Sequence, residues 1–134
     1  MQSIYKNTVV DKLLFVVKRI TLAVERTCDV KDVNDFLLSP SGMDLFDATC
    51  MRIQTIGEVL KQVDAETNGQ IFVNYQEVPW RKVFAMRNIL SHEYISLDPG
   101  IILDILKNNL LPLEKVLLKV LKDIDKGEYD ALFS

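Results

Sequence analysis

The fold is decided by the segment KNTVVDKLLFVVKRITLAVER, which spans residues 6–26. Its apolar side chains recur every three or four positions, the spacing that places them on one side of an α-helix. They are Val9, Val10, Leu13, Leu14, Val17, Ile20 and Val24. The segment therefore predicts a long amphipathic helix, which needs other helices against which to bury its apolar side.

The helical pattern returns in the segments that follow. A short helix is expected at residues 32–38, and Ser39-Pro40-Ser41-Gly42 reads as the turn that ends it. A second long helix is expected at about residues 43–63, where apolar side chains again share one stripe. The polar segment at residues 64–78 is then expected to be a loop.

Two further helices are expected in the second half of the chain. Pro79 suits the first position of a third helix, which runs to about residue 94. Asp98 and Pro99 form an N-cap and first-turn pair for a fourth helix, which Pro112 kinks or restarts. No segment alternates as a strand would, and no linker divides the chain. The sequence predicts one all-α domain over residues 1–134, an up-and-down bundle of four main helices plus a short extra helix.

Composition limits the classes of function. The 134 residues are 49% hydrophobic, enough for a sizeable core, and the formal net charge is −3. Proteins that adhere to nucleic acid without regard to sequence normally present a basic surface. Any chemistry on nucleic acid would therefore have to come from a small local site.

Cysteine and histidine are too scarce for a zinc site. Cys28 and Cys50 are the two cysteines, and His92 is the one histidine. No metal is expected, and the thiols are expected to be buried and free in a reducing compartment. Residues 1–11 lack the pattern of a signal peptide, and no apolar run of about 18 residues could span a bilayer. The protein is expected to be cytoplasmic, without a membrane partner.

Polar and titratable groups gather at residues 86–94, MRNILSHEY. On an ideal helix Arg87, Ser91 and Tyr94 form one stripe, with Asn88 and His92 beside it. Arg87 and His92 are five residues apart, roughly 140° around such a helix, so they flank a groove. Either the last turn unwinds to bring them together, or each works beside residues of a second chain.

Phe84 and Trp80 lie on the Arg87 side, one and two turns earlier respectively. Two large aromatic side chains off the core face would form an exposed apolar patch in a monomer. They therefore favour a homodimer that brings two Arg–His sets to one cleft, with Trp80 and Phe84 as cleft residues. The alternative is that Trp80 packs against the neighbouring helix.

These residue types suit RNA cleavage without a metal. Attack by the ribose 2′-hydroxyl needs a general base, an acid for the leaving oxygen and a cation for the phosphorane. The imidazole of His92 can act as base or acid, and the guanidinium of Arg87 can bind phosphate oxygens. Asn88 and Ser91 could hold the phosphate or fix the imidazole tautomer. The spacing alone does not distinguish this pair from two ordinary surface residues.

Several further motifs occur in a characteristic order. They are Ile56-Gly57-Glu58, Val78-Pro79-Trp80-Arg81, Met86-Arg87-Asn88 with His92 and Tyr94, Asp98, and Leu110-Leu111-Pro112. Together they resemble the HEPN superfamily and, within it, the HepT-like toxins of bacterial and archaeal toxin–antitoxin pairs. The resemblance spans about residues 11–121.

The resemblance implies a helical bundle that dimerises and places Arg87 and His92 of both chains at a shared, metal-independent ribonuclease site without a cofactor. Asn88 matches the polar residue that usually follows the arginine. The partner implied is a minimal nucleotidyltransferase antitoxin (MntA-like), in a type VII toxin–antitoxin system. In this family that partner transfers AMP from ATP to the tyrosine that matches Tyr94, which would fill the cleft and compete with RNA phosphate.

An alternative function comes from an older interpretation of the same family. In that alternative the chain is a non-enzymatic partner subunit that presents nucleotide or substrate to a nucleotidyltransferase. The acidic charge balance agrees with it.

Four other features carry expectations of their own. Gly57 is expected to permit a close helix approach, and Glu58 to be an inward carboxylate paired with Arg or Lys. Tyr129 and Phe133 are expected to pack back on the bundle. A solvated basic face is expected at Lys115, Lys119, Lys122 and Lys126.

Overall fold

The structure is a computed structural model that describes residues 2–89 and 97–134. Within these two ranges the chain forms helices and turns, and no strand occurs. The all-α prediction is confirmed; the homodimer stays a prediction. The α-helices are α1 Gln2–Arg26, α2 Asn34–Leu37, α3 Pro40–Glu66, α4 Trp80–Ala85, α5 Pro99–Asp104 and α6 Leu110–Asp125.

Helices α1 and α3 form an antiparallel pair at the centre of the fold. Lys12, in the first half of α1, forms an ion pair with Glu66 at the end of α3. The Tyr5 hydroxyl donates to the backbone carbonyl of the same Glu66. Helix α6 packs on α1, while α2 and α4 pack on α3. The fully buried side of α1 consists of Val9, Leu13, Val16, Ile20 and Ala23.

The second long helix begins earlier than predicted. Ser39 is the N-cap of α3, and its Oγ accepts a hydrogen bond from the Gly42 N–H at 2.9 Å. Pro40 occupies the first turn, where a missing N–H costs nothing. The predicted turn was wrong because Ser, Pro and Gly serve a helix start as well as they serve a turn.

The predicted loop after α3 has buried structure of its own. A 3₁₀ helix forms at Phe72–Asn74, and Ile71, Phe72 and Tyr75 are all buried. These three side chains pack in the core, although the segment as a whole is polar and for that reason was predicted to be a loop. The segment is therefore part of the core that supports α4.

The C-terminal helices α5 and α6 are joined by a π turn at Ile105–Asn109, so they form one continuous rod. The predicted N-cap is confirmed, because Asp98 Oδ1 accepts from the Gly100 N–H at 2.8 Å. The predicted irregularity at Pro112 is present, because the π turn ends at Asn109, α6 begins at Leu110, and Pro112 is the third residue of α6. A wide turn of this kind is a common irregularity within long helices.

The tail returns to the bundle as expected. The Tyr129 hydroxyl donates to the Tyr75 hydroxyl at 2.9 Å, and that hydroxyl donates to Asp123 Oδ2 at 2.7 Å. Phe133 is 3% exposed and meets the Tyr5 ring edge to face, with ring centroids 5.2 Å apart. These contacts attach the last residues to both α1 and α6.

The cysteine prediction holds for one of the two thiols. Cys50 is buried, and burial, helped by the charge of Asp47, raises the pKa of its thiol to about 12. Cys28 is exposed, because it follows the end of α1 in a surface turn. Of the helices in the described ranges, none is long and apolar enough to cross a membrane.

Candidate functional site

The segment that carries Arg87 lies directly on α3 at Gly57. A Cβ at Gly57 would lie 2.7 Å from the Arg87 backbone nitrogen, 2.8 Å from the Val83 carbonyl oxygen and 2.9 Å from Met86 Cβ. Two of these atoms belong to the backbone and cannot rotate away. The expected close approach at Gly57 is confirmed, and it fixes the backbone of Arg87 against the core of the fold.

Arg87 itself points to solvent. It lies in a 3₁₀ helix, Met86–Asn88, and its side chain is exposed. Among the described residues no carboxylate forms an ion pair with it. A fixed backbone with an unpaired, exposed guanidinium can bind an anion without first breaking an internal contact.

A third helix was predicted to run to residue 94, but the α-helix gives way to a 3₁₀ helix before Arg87. Helix α4 ends at Ala85, and the next turn tightens, with the Ile89 N–H donating to the Met86 carbonyl at 3.1 Å. The angles of an ideal α-helix therefore do not apply from Met86 to Asn88. Asn88 is exposed beside Arg87. Ser91, His92 and Tyr94 lie outside the described residues, so their predicted roles stay predictions.

Trp80 and Phe84 are supported within the chain more than expected. The Trp80 ring stacks on Phe72, with centroids 4.1 Å apart and planes 12° apart, and its Nε1–H donates to the Tyr75 carbonyl at 2.8 Å. Phe84 lies 6.1 Å from both rings, and Trp80 and Phe84 are half-buried. The expected fully exposed aromatic patch is wrong, because the segment predicted as a loop supplies Phe72. A role for these two rings at a dimer cleft stays a prediction.

Lys61 is a site neighbour that the sequence interpretation missed. Its Nζ lies 5.1 Å from the centroid of the Phe84 ring. The signal was present, since Lys61 follows Gly57 by four residues and so shares its side of α3. Glu58, expected to point inward, is exposed. Lys61 therefore places a cation beside Phe84, and the Glu58 carboxylate remains in solvent.

The lysine series of α6 is exposed as expected, at Lys115, Lys119, Lys122 and Lys126. Within the described ranges no group of three His, Cys, Asp or Glu side chains is arranged to hold a metal ion. The described cationic groups of this region are thus Arg87, on its own segment, and Lys61, beside Phe84.

Comparisons with known proteins identify the family. A family model described as "Ribonuclease HepT-like" matches residues 17–120. A protein of Methanocaldococcus jannaschii named "Gamma-glutamylcyclotransferase and putative RNase" is 31% identical over 113 residues, which cover 84% of this chain and 47% of that protein. The chain thus spans about half the length of this relative. No solved structure gives a significant match.

The matched range includes the features from which the site is built. It contains the last ten residues of α1, all of α3 with Gly57, and the segment that presents Arg87. The chain therefore belongs to the HepT-like ribonuclease family.

Proposed function

We propose that the chain is a metal-independent endoribonuclease toxin in which Arg87 and His92 act on the scissile phosphate. The observation that carries the proposal is the exposed guanidinium of Arg87 on a backbone that Gly57 holds against α3. Catalysis by charge stabilisation requires a donor that is already in place when charge develops. The family match makes RNA the substrate class.

The reaction begins at the ribose 2′-hydroxyl next to the cleaved bond. This hydroxyl loses its proton to a base and attacks phosphorus, which forms a pentacoordinate phosphorane. The guanidinium of Arg87 binds the phosphorane oxygens, where negative charge increases. The bond to the 5′-oxygen then breaks, and that oxygen takes a proton from an acid. The products are a 2′,3′-cyclic phosphate and a 5′-hydroxyl.

A homodimer supplies both proton-transfer groups. The chain has one histidine, His92, and an imidazole near neutral pH can accept or donate one proton at a time. Two protomers at one cleft bring two imidazoles, one neutral and one protonated, together with two copies of Arg87. Dimerisation therefore completes the site.

In this proposal the ribonuclease activity is inhibited by modification of Tyr94. A minimal nucleotidyltransferase antitoxin transfers AMP from ATP to the Tyr94 hydroxyl, which forms a phosphodiester and releases pyrophosphate. The added phosphate is anionic and follows Arg87 by seven residues in the chain. It competes with RNA phosphate for the guanidinium. Such a pair is a type VII toxin–antitoxin system of the cytoplasm.

The test is cleavage of a labelled RNA by the purified chain in EDTA, with analysis of the new ends. We expect 2′,3′-cyclic phosphate ends, and loss of cleavage in Arg87→Ala and His92→Ala with the oligomeric state unchanged. Arg81→Ala is the matched control, because Arg81 is also exposed but its atoms are not among those nearest to Gly57.

Undiminished cleavage by His92→Ala would contradict the assignment of the catalytic pair. Absence of cleavage by the unmodified chain, together with ATP-dependent binding of a nucleotidyltransferase partner, would favour the non-enzymatic partner subunit instead.

A further inference from the structure

One edge of the α1–α3 contact carries a row of side chains that we call the seam. On α1 its members follow one another at intervals of seven residues, or two helical turns, and so share one side. They are Tyr5, Lys12, Arg19 and Arg26. Antiparallel α3 contributes Glu66 at one end of the seam and Arg52 at the other.

The two ends of the seam differ in charge. At the first end Lys12 is paired with Glu66. At the second end Arg52 lies close enough to Arg26 and Arg19 for their charges to act on it, and no described carboxylate forms an ion pair with any of the three. Burial lowers the pKa of Arg52, and the positive charges of Arg26 and Arg19 lower it further. The second end is therefore a cluster of three cations that form no ion pair with the described residues.

Arg52 is the least satisfied polar side chain of this cluster. Its Nη1 is buried and has no hydrogen-bond partner among the described residues. A buried donor without a partner, close to two like charges, destabilises the folded chain. An anion with several oxygens, bound at the solvent-facing part of the half-exposed Arg52 side chain, would reduce the repulsion among all three guanidinium groups. The cluster thus has the chemistry of a phosphate site.

An aromatic ring beside the cluster favours nucleic acid over an acidic protein as the source of that phosphate. Phe15 is 38% exposed, and it is the one exposed aromatic side chain in the described part of the chain. The Arg19 guanidinium carbon lies 4.9 Å from the centroid of this ring. A ring and a guanidinium on one surface can stack on a base while neighbouring arginines hold the backbone.

We propose that Arg19, Arg26 and Arg52 form a phosphate-binding subsite for single-stranded RNA, with Phe15 stacked on an adjacent base. The proposal rests on the proposed function, since RNA is the substrate there. Arg52 precedes Gly57 by five residues, about 7.5 Å along α3, and lies on a different side of that helix. The subsite therefore binds RNA away from the cleaved bond and contributes to affinity, not to the chemical step.

The experiment measures binding of a fluorescent 2′-O-methyl RNA oligonucleotide over a range of salt concentrations. This probe lacks the attacking hydroxyl and stays intact. Arg52→Met is compared with Lys12→Met, because both remove one positive charge from the seam and leave a chain of similar length. We expect about tenfold weaker binding for Arg52→Met, with the salt slope smaller by about 0.7. Lys12→Met should stay within about twofold of the unmodified chain.

Two further variants separate the parts of the site. Arg26→Gln, at an exposed position, should also weaken binding about tenfold and guards against misfolding of the Arg52 variant. Phe15→Leu should weaken binding of the oligonucleotide about fivefold but leave an abasic oligonucleotide unaffected, since only a base can stack. A free phosphate ligand is distinguished with inorganic pyrophosphate. If Arg52→Met loses pyrophosphate binding and keeps RNA binding, the assignment to RNA is overturned.

Equal effects of Arg52→Met and Lys12→Met would overturn the subsite. Different results would contradict the subsite and the ribonuclease function. If the unmodified chain cleaves RNA and the arginine variants bind normally, the subsite is wrong and the function stands. If the chain does not cleave RNA but Arg52→Met still weakens binding tenfold, the function is wrong and the subsite stands.

Discussion

Two arginines lie on different sides of helix α3: Arg87, on a segment packed against the helix, and Arg52, on the helix itself. They differ in what surrounds the guanidinium group. On one side Gly57 holds the backbone of Arg87, whose side chain is in solvent. On the other side the Arg52 side chain is half-buried on the helix itself, with Nη1 out of solvent and Arg19 and Arg26 nearby. The first arginine is positioned through its backbone and the second through its side chain.

This difference separates two tasks. An exposed guanidinium on a fixed backbone adds little to stability but can meet a developing charge at a defined place. A half-buried guanidinium without a partner lowers stability until a ligand arrives. Substitutions on the first side should therefore change turnover, and substitutions on the second should change affinity and stability.

The largest effect is expected for Arg87→Lys. Lysine keeps the charge but loses the planar fork that binds two phosphate oxygens at once. The cleavage rate at saturating RNA should fall by about two orders of magnitude, the usual consequence of losing one preorganised donor. Thermal unfolding should be unchanged. Arg81→Lys is the control, and a normal rate for Arg87→Lys would show that a point charge is sufficient.

A smaller effect is expected for Gly57→Ala. The new methyl group would meet backbone atoms at 2.7 and 2.8 Å, so the Arg87 segment must shift outward. We expect a rate about tenfold lower and a free energy of unfolding about 1 kcal/mol lower, because overpacking exceeds the gain in helix propensity. Gly100→Ala is the control, since a Cβ there meets only the Asp98 side chain. Equal behaviour of the two variants would contradict the positioning role of Gly57.

The smallest effect concerns stability on the other side of α3. Arg52→Met should raise the free energy of unfolding by up to about 1 kcal/mol, because it removes an unsatisfied buried donor and two repulsions. Lys12→Met should lower it by less than about 1 kcal/mol, since a partly exposed ion pair contributes little. Urea denaturation measures both. A clear loss of stability in Arg52→Met would show that Arg52 is a structural residue.

Much of the fold could be predicted from local patterns. The apolar spacing gave the helical class, the Asp98-Pro99 pair gave a helix start, and Gly57 gave a close helix approach. Each of these depends on a few neighbouring residues. The chemistry of such signals is local, so the sequence alone contains it.

The features that could not be predicted depend on contacts between distant segments. Phe72 lies in a polar stretch, and only its stacking on Trp80 reveals that the stretch belongs to the core. The interval between Arg19 and Arg26 is visible in the sequence, but the antiparallel register of α1 and α3 determines that Arg52 joins them. Apolar spacing predicts helices but not the register between them, so Arg87 could be predicted from the sequence and the second cluster could not.

The contact between Tyr5 and Phe133 joins residues separated by nearly the whole chain, and Lys6 and Asp130 add an ion pair at 3.6 Å. A contact of such long range closes a very large loop, so its entropic cost is high until the intervening helices are in place. It should therefore form late during folding. Because Tyr5 and Phe133 meet there, a variant in which a short linker joins these two positions and new ends open in a surface turn should keep the fold.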